Sequence, residues 1–185
     1  MHKLICSMSV SLDGYTAGPD GDIAWTAPDE EQFLFHIQQT REISAHLLGR
    51  GLYEAMLVWE TAEAPRFNPS ELEFARIWKD IPKVVFSTTL EHVEGNARLA
   101  TGDVATEAAR LAEQPGEGVM GVGGPGLADT LINLDRIDEY RLFVNPVVLG
   151  GGTPYFPPSA AGLNLELLET RTFGSRVVYL RYRRV

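Results

Sequence analysis

The stretch Gly118-Val119-Met120-Gly121-Val122-Gly123-Gly124-Pro125-Gly126 decides the fold class, because it joins a strand to a helix through closely spaced glycines. Its first half is an apolar run of strand length, and a helical pattern over Leu127–Asn133 follows it. Gly121, Gly123 and Gly126 satisfy the pattern G-x-G-x-x-G. Such glycines let backbone N–H groups approach a phosphate at the N-terminus of a helix. The stretch therefore predicts a strand, a turn and a helix, with a phosphate ligand as one reading of the turn.

The turn differs from that of a dinucleotide-binding Rossmann unit. Such a unit has an acidic residue about 20 positions further on, at the end of the next strand. Here Asp138 and Glu139 come before a strand, not after one. Two readings stay open: a phosphate-binding turn of another type, which we favour, or a tight strand–helix turn without a ligand.

Strand and helix patterns alternate around this stretch for two-thirds of the chain, and strands alone complete it. This order is typical of an α/β fold with a mostly parallel sheet and an antiparallel pair at its C-terminal edge. The predicted strands are Lys3–Val10, Tyr15–Ala17, Ala45–Leu48, Pro82–Ser87, Ala97–Thr101, Gly118–Val122, Asp138–Leu149, Leu165–Phe173 and Arg176–Arg183. The predicted helices begin at Pro28 or Asp29 and span Leu52–Val58, Glu71–Lys79, Val104–Gln114 and Leu127–Asn133, with a surface loop at Thr61–Ser70.

Composition limits the class of protein. The 185 residues, 44% hydrophobic and 22% charged, predict one globular domain over residues 1–185. The net charge of −9 argues against nucleic-acid and anionic-lipid partners. Cys6 is the one cysteine, and no cysteine–histidine cluster has zinc-site spacing, so we expect neither a disulfide nor a metal. No apolar run reaches membrane-spanning length and no signal-peptide pattern opens the chain, so a cytoplasmic location is expected.

Two further segments could bind phosphate. Gly49-Arg50-Gly51 follows a strand and opens a helix, and the planar guanidinium of Arg50 suits phosphate oxygens. Ser87-Thr88-Thr89 adds three hydroxyls at the end of another strand. A surface arginine and a hydroxyl-rich turn are each ordinary features. All the candidates, however, lie at carboxyl ends of strands, where open α/β sheets bind ligands.

A third region could hold a flat, nitrogen-rich ring. Trp25 precedes Asp29 and Glu30 at a predicted helix start, so an indole wall and a carboxylate would lie together. The alternative assigns the two acids to the helix N-terminus and the tryptophan to the core. His36 and His46 have no partner at ligand or triad spacing, and the sequence gives neither a role.

Taken in order, these segments resemble the dihydrofolate-reductase-like superfamily, in particular the group related to the C-terminal reductase domain of the riboflavin-biosynthesis deaminase/reductase. The resemblance covers essentially the whole chain. It is carried by Ser11-Leu12-Asp13-Gly14-Tyr15-Thr16-Ala17, Leu48-Gly49-Arg50, Val84-Val85-Phe86-Ser87, Val122-Gly123-Gly124, Asp138-Glu139-Tyr140-Arg141 and Asn145-Pro146-Val147-Val148-Leu149-Gly150-Gly151-Gly152-Thr153-Pro154. It implies a three-layer fold with a central mixed sheet between helices, an NADPH-dependent reductase and a homodimer.

The resemblance also implies roles for individual residues. The pyrophosphate of NADPH would be held by Gly123, Gly124, Gly126 and Leu127, with a cis peptide between the paired glycines. The Gly49-Arg50-Gly51 segment, with Ser87 and Thr88, would contact the adenosine 2′-phosphate. Gly14 and Ala17, with the turn at Asp13, would border the nicotinamide. Asp13 and Trp25 would contact the substrate, and either Glu30 or Asp29 would be the catalytic acid.

Three positions depart from the family pattern. Leu52 stands where a threonine commonly contacts phosphate. Ser7 and Val122 stand where riboflavin-pathway reductases have a lysine and a glutamate that bind the ribosylaminopyrimidine substrate. The cofactor site is therefore expected to persist while the substrate differs.

The sequence thus predicts an NADPH-dependent reductase that transfers a hydride to a flat nitrogen heterocycle, resembling 5-amino-6-(5-phosphoribosylamino)uracil reductase. The alternatives are a true dihydrofolate reductase and a non-catalytic nucleotide-binding protein of the same fold.

Overall fold

The computed structural model describes residues 2–61 and 66–185. The strands are β1 (Lys3–Ser11), β2 (Tyr15–Ala17), β3 (Ile43–Gly49), β4 (Lys83–Phe86), β5 (Ala97–Leu99), β6 (Val119–Gly123), β7 (Glu139–Asn145), β8 (Thr153–Pro154), β9 (Leu165–Thr172) and β10 (Val178–Arg184). The helices are α1 (Glu30–Thr40), α2 (Arg50–Met56), α3 (Val58–Thr61), α4 (Pro69–Asp80), α5 (Val104–Ala112) and α6 (Pro125–Asn133), with 3-10 turns at Ala24–Thr26 and Pro158–Ala160.

Eight strands form one sheet in the order β5-β4-β3-β6-β1-β7-β10-β9, and β2 pairs with β8 separately. The five pairings from β5 through to β7 are parallel. Strand β10 runs antiparallel to both β7 and β9. The predicted fold class, a mostly parallel sheet with an antiparallel C-terminal pair, is confirmed.

Helices cover both faces of the sheet and produce three layers. On one face α5 and α6 bury apolar side chains such as Leu111 and Leu131 against Leu4 and Cys6 of β1. The other face is covered by α1, α2 and α4, which pack a cluster of aliphatic and aromatic side chains onto β3 and β4. No helix in the described part of the chain is long and apolar enough to span a membrane.

Several element boundaries differ from the sequence prediction by a few residues, and two of these differences have a local cause. Strand β7 ends at Asn145 instead of continuing to Leu149, because Pro146 has no N–H for the ladder. Helix α4 begins at Pro69, two residues earlier than expected, because Asn68 caps it in a capping box with Glu71. Positions 62–65 of the predicted surface loop lie outside the described residues.

Candidate active site

The three predicted phosphate-binding segments lie side by side at one edge of the sheet. Strand β3 lies between β4 and β6, and its Gly49 is in register with Phe86 while Leu48 is in register with Gly123. The chain then turns at Gly124, which has a φ of +96°. A Cβ on Gly124 would lie 3.6 Å from the Cα of Gly49, an ordinary van der Waals contact, so the positive φ is what favours glycine at this position.

The turn leads into α6 without a side chain that caps the N–H groups of its first turn. Gly124 is the N-cap and supplies no side-chain hydrogen bond, and Pro125, at the first position, has no N–H. A Cβ on Gly126 would meet no atom within 4 Å, so open space lies beside the first turn, whereas Leu127 is buried. The prediction of a cis peptide between Gly123 and Gly124 is wrong, because none of the described peptide bonds is cis.

Arg50 and the hydroxyl segment meet beside this turn. Arg50 is half exposed; its Nε donates to Glu54 Oε1 at 2.8 Å and its Nη1 to Thr89 Oγ1 at 2.7 Å. Ser87 Oγ accepts the N–H groups of Thr89 and Leu90 at 3.2 and 3.0 Å, so it closes a turn. Thr88 is exposed. Gly51 has open space where a Cβ would stand.

Asp13 holds two loops together at the end of β1. It accepts hydrogen bonds from Ser11 Oγ at 2.7 Å and from the N–H groups of Leu149 and Gly150 at 3.1 and 2.7 Å. The Ser11 and backbone hydrogen bonds lower the pKa of Asp13 to about 2. Its carboxylate thus shapes the loops, and its substrate contact stays a prediction.

The two residues predicted to border the nicotinamide lie in the same loop pair as Asp13. Gly14 has a φ of +94° and accepts the N–H of Tyr155 through its carbonyl. Ala17 pairs with Thr153 across the β2–β8 ribbon.

A cavity of about 350 Å³ lies between the sheet and helices α1, α2 and α4. Its wall is largely aromatic and aliphatic, formed by Phe33, Trp59, Phe74, Trp78, Leu52 and Met56. Its polar lining includes Ser7, His36, His46 and Arg141. Gly121, Val122 and Gly123 of β6 also line it, so the cavity reaches the glycine turn. This volume and lining are typical of a small-molecule site.

The cavity contains two histidines, His36 and His46, for which no role was predicted. His46 fits over Gly121, where a Cβ would lie 2.6 Å from His46 Nδ1, and its ring centroid is 4.9 Å from that of Trp78. His36 lies over Phe143, with ring centroids 4.3 Å apart. Burial lowers the pKa of each histidine to about 4, and the charge of Lys83 contributes at His46. Both imidazoles are therefore neutral at pH 7.

These lowered pKa values predict a loss of stability in mild acid. The unfolded chain binds protons at histidine below about pH 6.5 and the folded chain only near pH 4, so stability falls as the pH drops through this range. Urea unfolding at pH 7.5 and pH 5 should show a loss of about 2 kcal/mol for each of these two histidines. In His46→Gln the loss should be smaller by that amount. The exposed His92→Gln is the control, and equal losses in all three proteins would refute the assignment.

The predicted substrate residues at the start of α1 lie beside the cavity, not on its wall. Asp29 is the N-cap of α1 and accepts the N–H of Gln32 at 2.8 Å. Glu30 is exposed and accepts a hydrogen bond from Ser70 Oγ at 3.3 Å. The indole N–H of Trp25 donates to the carbonyl of Asp22 at 3.1 Å. The structure thus does not bring either acid to the cavity, and their catalytic role stays a prediction.

The two substrate-binding positions that depart from the family pattern differ in their surroundings. Ser7 of β1 lines the cavity, where the family pattern has a lysine. Val122 of β6 stands where the pattern has a glutamate, and its side chain is buried in the core cluster under α5 and α6. The cavity therefore lacks the lysine charge at its floor.

Comparison with known proteins identifies the family. The family model described as the RibD C-terminal domain matches residues 2–179. The chain is 32% identical over 182 residues to the uncharacterized protein YyaP of Bacillus subtilis (strain 168). This match covers 97% of this chain and 94% of YyaP.

Solved structures share the fold at low sequence identity. A protein of Shewanella sp. PV-4, named for riboflavin biosynthesis, has a TM-score of 0.75 at 20% identity, covering 100% of this chain and 99% of that one. The diaminohydroxyphosphoribosylaminopyrimidine deaminase/5-amino-6-(5-phosphoribosylamino)uracil reductase of Thermotoga maritima has a TM-score of 0.68 at 19% identity, covering 100% and 57%. Dihydrofolate reductase from Enterococcus faecalis, complexed with NADP(H), has a TM-score of 0.61 at 19% identity, covering 98% and 96%. The fold is therefore dihydrofolate-reductase-like, and the chain belongs to the RibD C-terminal domain family.

Proposed function

We propose that this chain is an NADPH-dependent reductase that delivers a hydride to a flat nitrogen heterocycle. One observation carries the proposal: Gly123 lines the apolar cavity and also begins the paired-glycine turn. A cofactor held at the turn and a ring held in the cavity would therefore be neighbours. The names of two proteins that share the fold, a uracil-derivative reductase and a dihydrofolate reductase, support a reductase.

The residues at the strand ends fit a dinucleotide phosphate. Gly126 and Gly51 leave open space, and α6 presents the N–H groups of its first turn without a capping side chain. The half-exposed guanidinium of Arg50 would bind the 2′-phosphate as a charged donor. When bound, the nicotinamide supplies the hydride.

The cavity would hold the heterocycle and exclude water from it. Phe33, Phe74 and Trp59 offer flat apolar walls to a ring. His36 and His46 are neutral, so each can accept or donate a hydrogen bond without adding charge. A true dihydrofolate reductase has a carboxylate facing the ring; because Asp29 and Glu30 lie off the cavity wall, we favour a different heterocycle.

The test is NADPH oxidation, followed at 340 nm, with a panel of pterins, pyrimidines and flavins as acceptors. The proposal expects turnover with at least one of these heterocycles and slower turnover with NADH at equal concentration. Saturable NADPH binding without turnover on any of them would indicate the non-catalytic nucleotide-binding protein instead. No binding of NADPH would refute both functions.

Arg50→Ala should weaken NADPH binding by about tenfold to a hundredfold, because a charge-assisted hydrogen bond contributes about 1.5–3 kcal/mol. NADH lacks the 2′-phosphate, so its affinity should hardly change. Calorimetric titration of both cofactors measures the two effects. Arg183→Ala, which removes an exposed, ion-paired arginine on β10, is the control. Equal losses for NADPH and NADH in Arg50→Ala would contradict the 2′-phosphate assignment.

A further inference from the structure

Arg141 of β7 is a buried cation with an unused donor in the cavity. The residue is 2% exposed, and its ion pairs use Nε, which donates to Glu139 Oε1 at 2.7 Å, and Nη2, which donates to Glu42 Oε2 at 3.2 Å. Within residues 2–61 and 66–185, Nη1 has no hydrogen-bond acceptor. Since Arg141 also lines the cavity, this nitrogen is available to a ligand.

Ser7 of β1 lies beside Arg141 on the adjacent strand. The two residues are paired in the β1–β7 register, and both line the cavity. The Ser7 hydroxyl likewise has no hydrogen-bond partner in the part of the chain that the structure describes. Neighbouring strands are about 4.8 Å apart. Both side chains therefore face the cavity from neighbouring positions.

The charges around Arg141 favour a neutral ligand group. Glu139 and Glu42 already compensate the charge of Arg141, and Glu139 also binds Arg181 through hydrogen bonds of 2.8 and 2.9 Å. A second buried anion would have no uncompensated cation to pair with. Among the described residues, no Asp or Glu lines the cavity, so an amidine-like edge with several N–H donors would find no carboxylate there.

We propose that Arg141 and Ser7 determine substrate specificity by binding a neutral carbonyl oxygen on the heterocycle, and that diamino-substituted rings are rejected. This proposal rests on the proposed function, because it takes the cavity to be the substrate site. Arg141 and Ser7 thus supply the polar contacts to the ring, and the acids at the start of α1 do not contact it.

The test compares three probes of similar size by calorimetry at pH 8. Quinazoline-2,4-dione presents carbonyl oxygens, 2,4-diaminoquinazoline presents amino groups on the same ring, and 2-naphthoate presents a carboxylate. The dione should bind at least tenfold more tightly than the other two. Ser7→Ala should weaken dione binding about twofold to tenfold, and Arg141→Lys about tenfold to a hundredfold.

Two matched variants separate binding from structure. Arg181→Lys alters the other arginine that binds Glu139, and Arg181 does not line the cavity. Ser9→Ala alters the next serine on the same face of β1, and Ser9 does not line the cavity either. Both should keep the wild-type affinity for the dione. Ser7→Ala decides the question if Arg141→Lys does not fold.

Three outcomes would overturn the proposal: unchanged dione affinity in Ser7→Ala and Arg141→Lys, tighter or equal binding of the diamine or the carboxylate, or no dione binding by folded wild-type protein. NADPH titrated separately reports on the proposed function. If NADPH fails to bind while the dione binds as expected, the proposed function falls and the assignment of the carbonyl site stands.

Discussion

Glu139→Gln is expected to lower the free energy of unfolding by about 3–5 kcal/mol, because it removes the shared partner of two arginines. The side chain of Glu139 is 4% exposed and binds both Arg141 and Arg181. Burial opposes its ionisation, yet the hydrogen bonds from Arg181 and Arg141 lower its pKa overall. With a neutral glutamine in its place, Arg141 would keep the exposed Glu42 as its one anionic partner among the described residues.

Urea denaturation at pH 7 measures this loss. The control is Glu166→Gln, which breaks the exposed ion pair with Arg183 on the neighbouring strand and should cost less than about 1 kcal/mol. A cost below about 1 kcal/mol for Glu139→Gln as well would show that the buried ion pairs do not stabilise this part of the sheet.

Gly152→Ala should lower the free energy of unfolding by a similar amount, about 3–5 kcal/mol, for a steric reason. Gly152 has a φ of +125°, which L side chains rarely adopt. A Cβ there would overlap the carbonyl oxygen of Ala17 and lie 2.8 Å from the carbonyl carbon of Gly18. These are backbone atoms of the loop predicted to border the nicotinamide, so they cannot turn away as a flexible side chain would.

Gly150→Ala is the matched comparison for this loop. Gly150 has a φ of +73°, but a Cβ there would meet no atom within 4 Å. Only the backbone preference should count, at about 1–2 kcal/mol. Thermal unfolding of both variants measures the difference, and equal costs would mean that the contact with Ala17 does not constrain the loop.

The architecture was predictable because it depends on local patterns. The glycine turn before α6, the alternation of strands with helices and the terminal pair β9–β10 are all visible in short windows of sequence. The convergence of Gly49 with Gly123 and Gly124 also followed, since parallel strands end at the same edge. The alternative reading of Asp29 as a helix cap agrees with its bond to Gln32.

The cavity was not predictable from local patterns. His46 and Gly121 are on different strands, and only the β3–β6 register shows that the glycine makes room for the imidazole. Likewise, Ser7 and Arg141 become neighbours only through the β1–β7 pairing. The family resemblance drew attention to the positions of Ser7 and Val122. It did not predict a role for the polar side chains of the cavity, His36, His46 and Arg141.

The most direct test of the central claim is the mapping of NADPH onto the ¹⁵N-labelled protein by NMR. If NADPH binds as proposed, saturable shifts are expected for the backbone amides at the ends of β3 and β6 and in the first turn of α6, namely Gly49, Gly124, Gly126 and Leu127. Smaller shifts are expected at Gly121 in the cavity. Shifts centred on α5 or on the β9–β10 pair, or no saturable shift at millimolar NADPH, would contradict it.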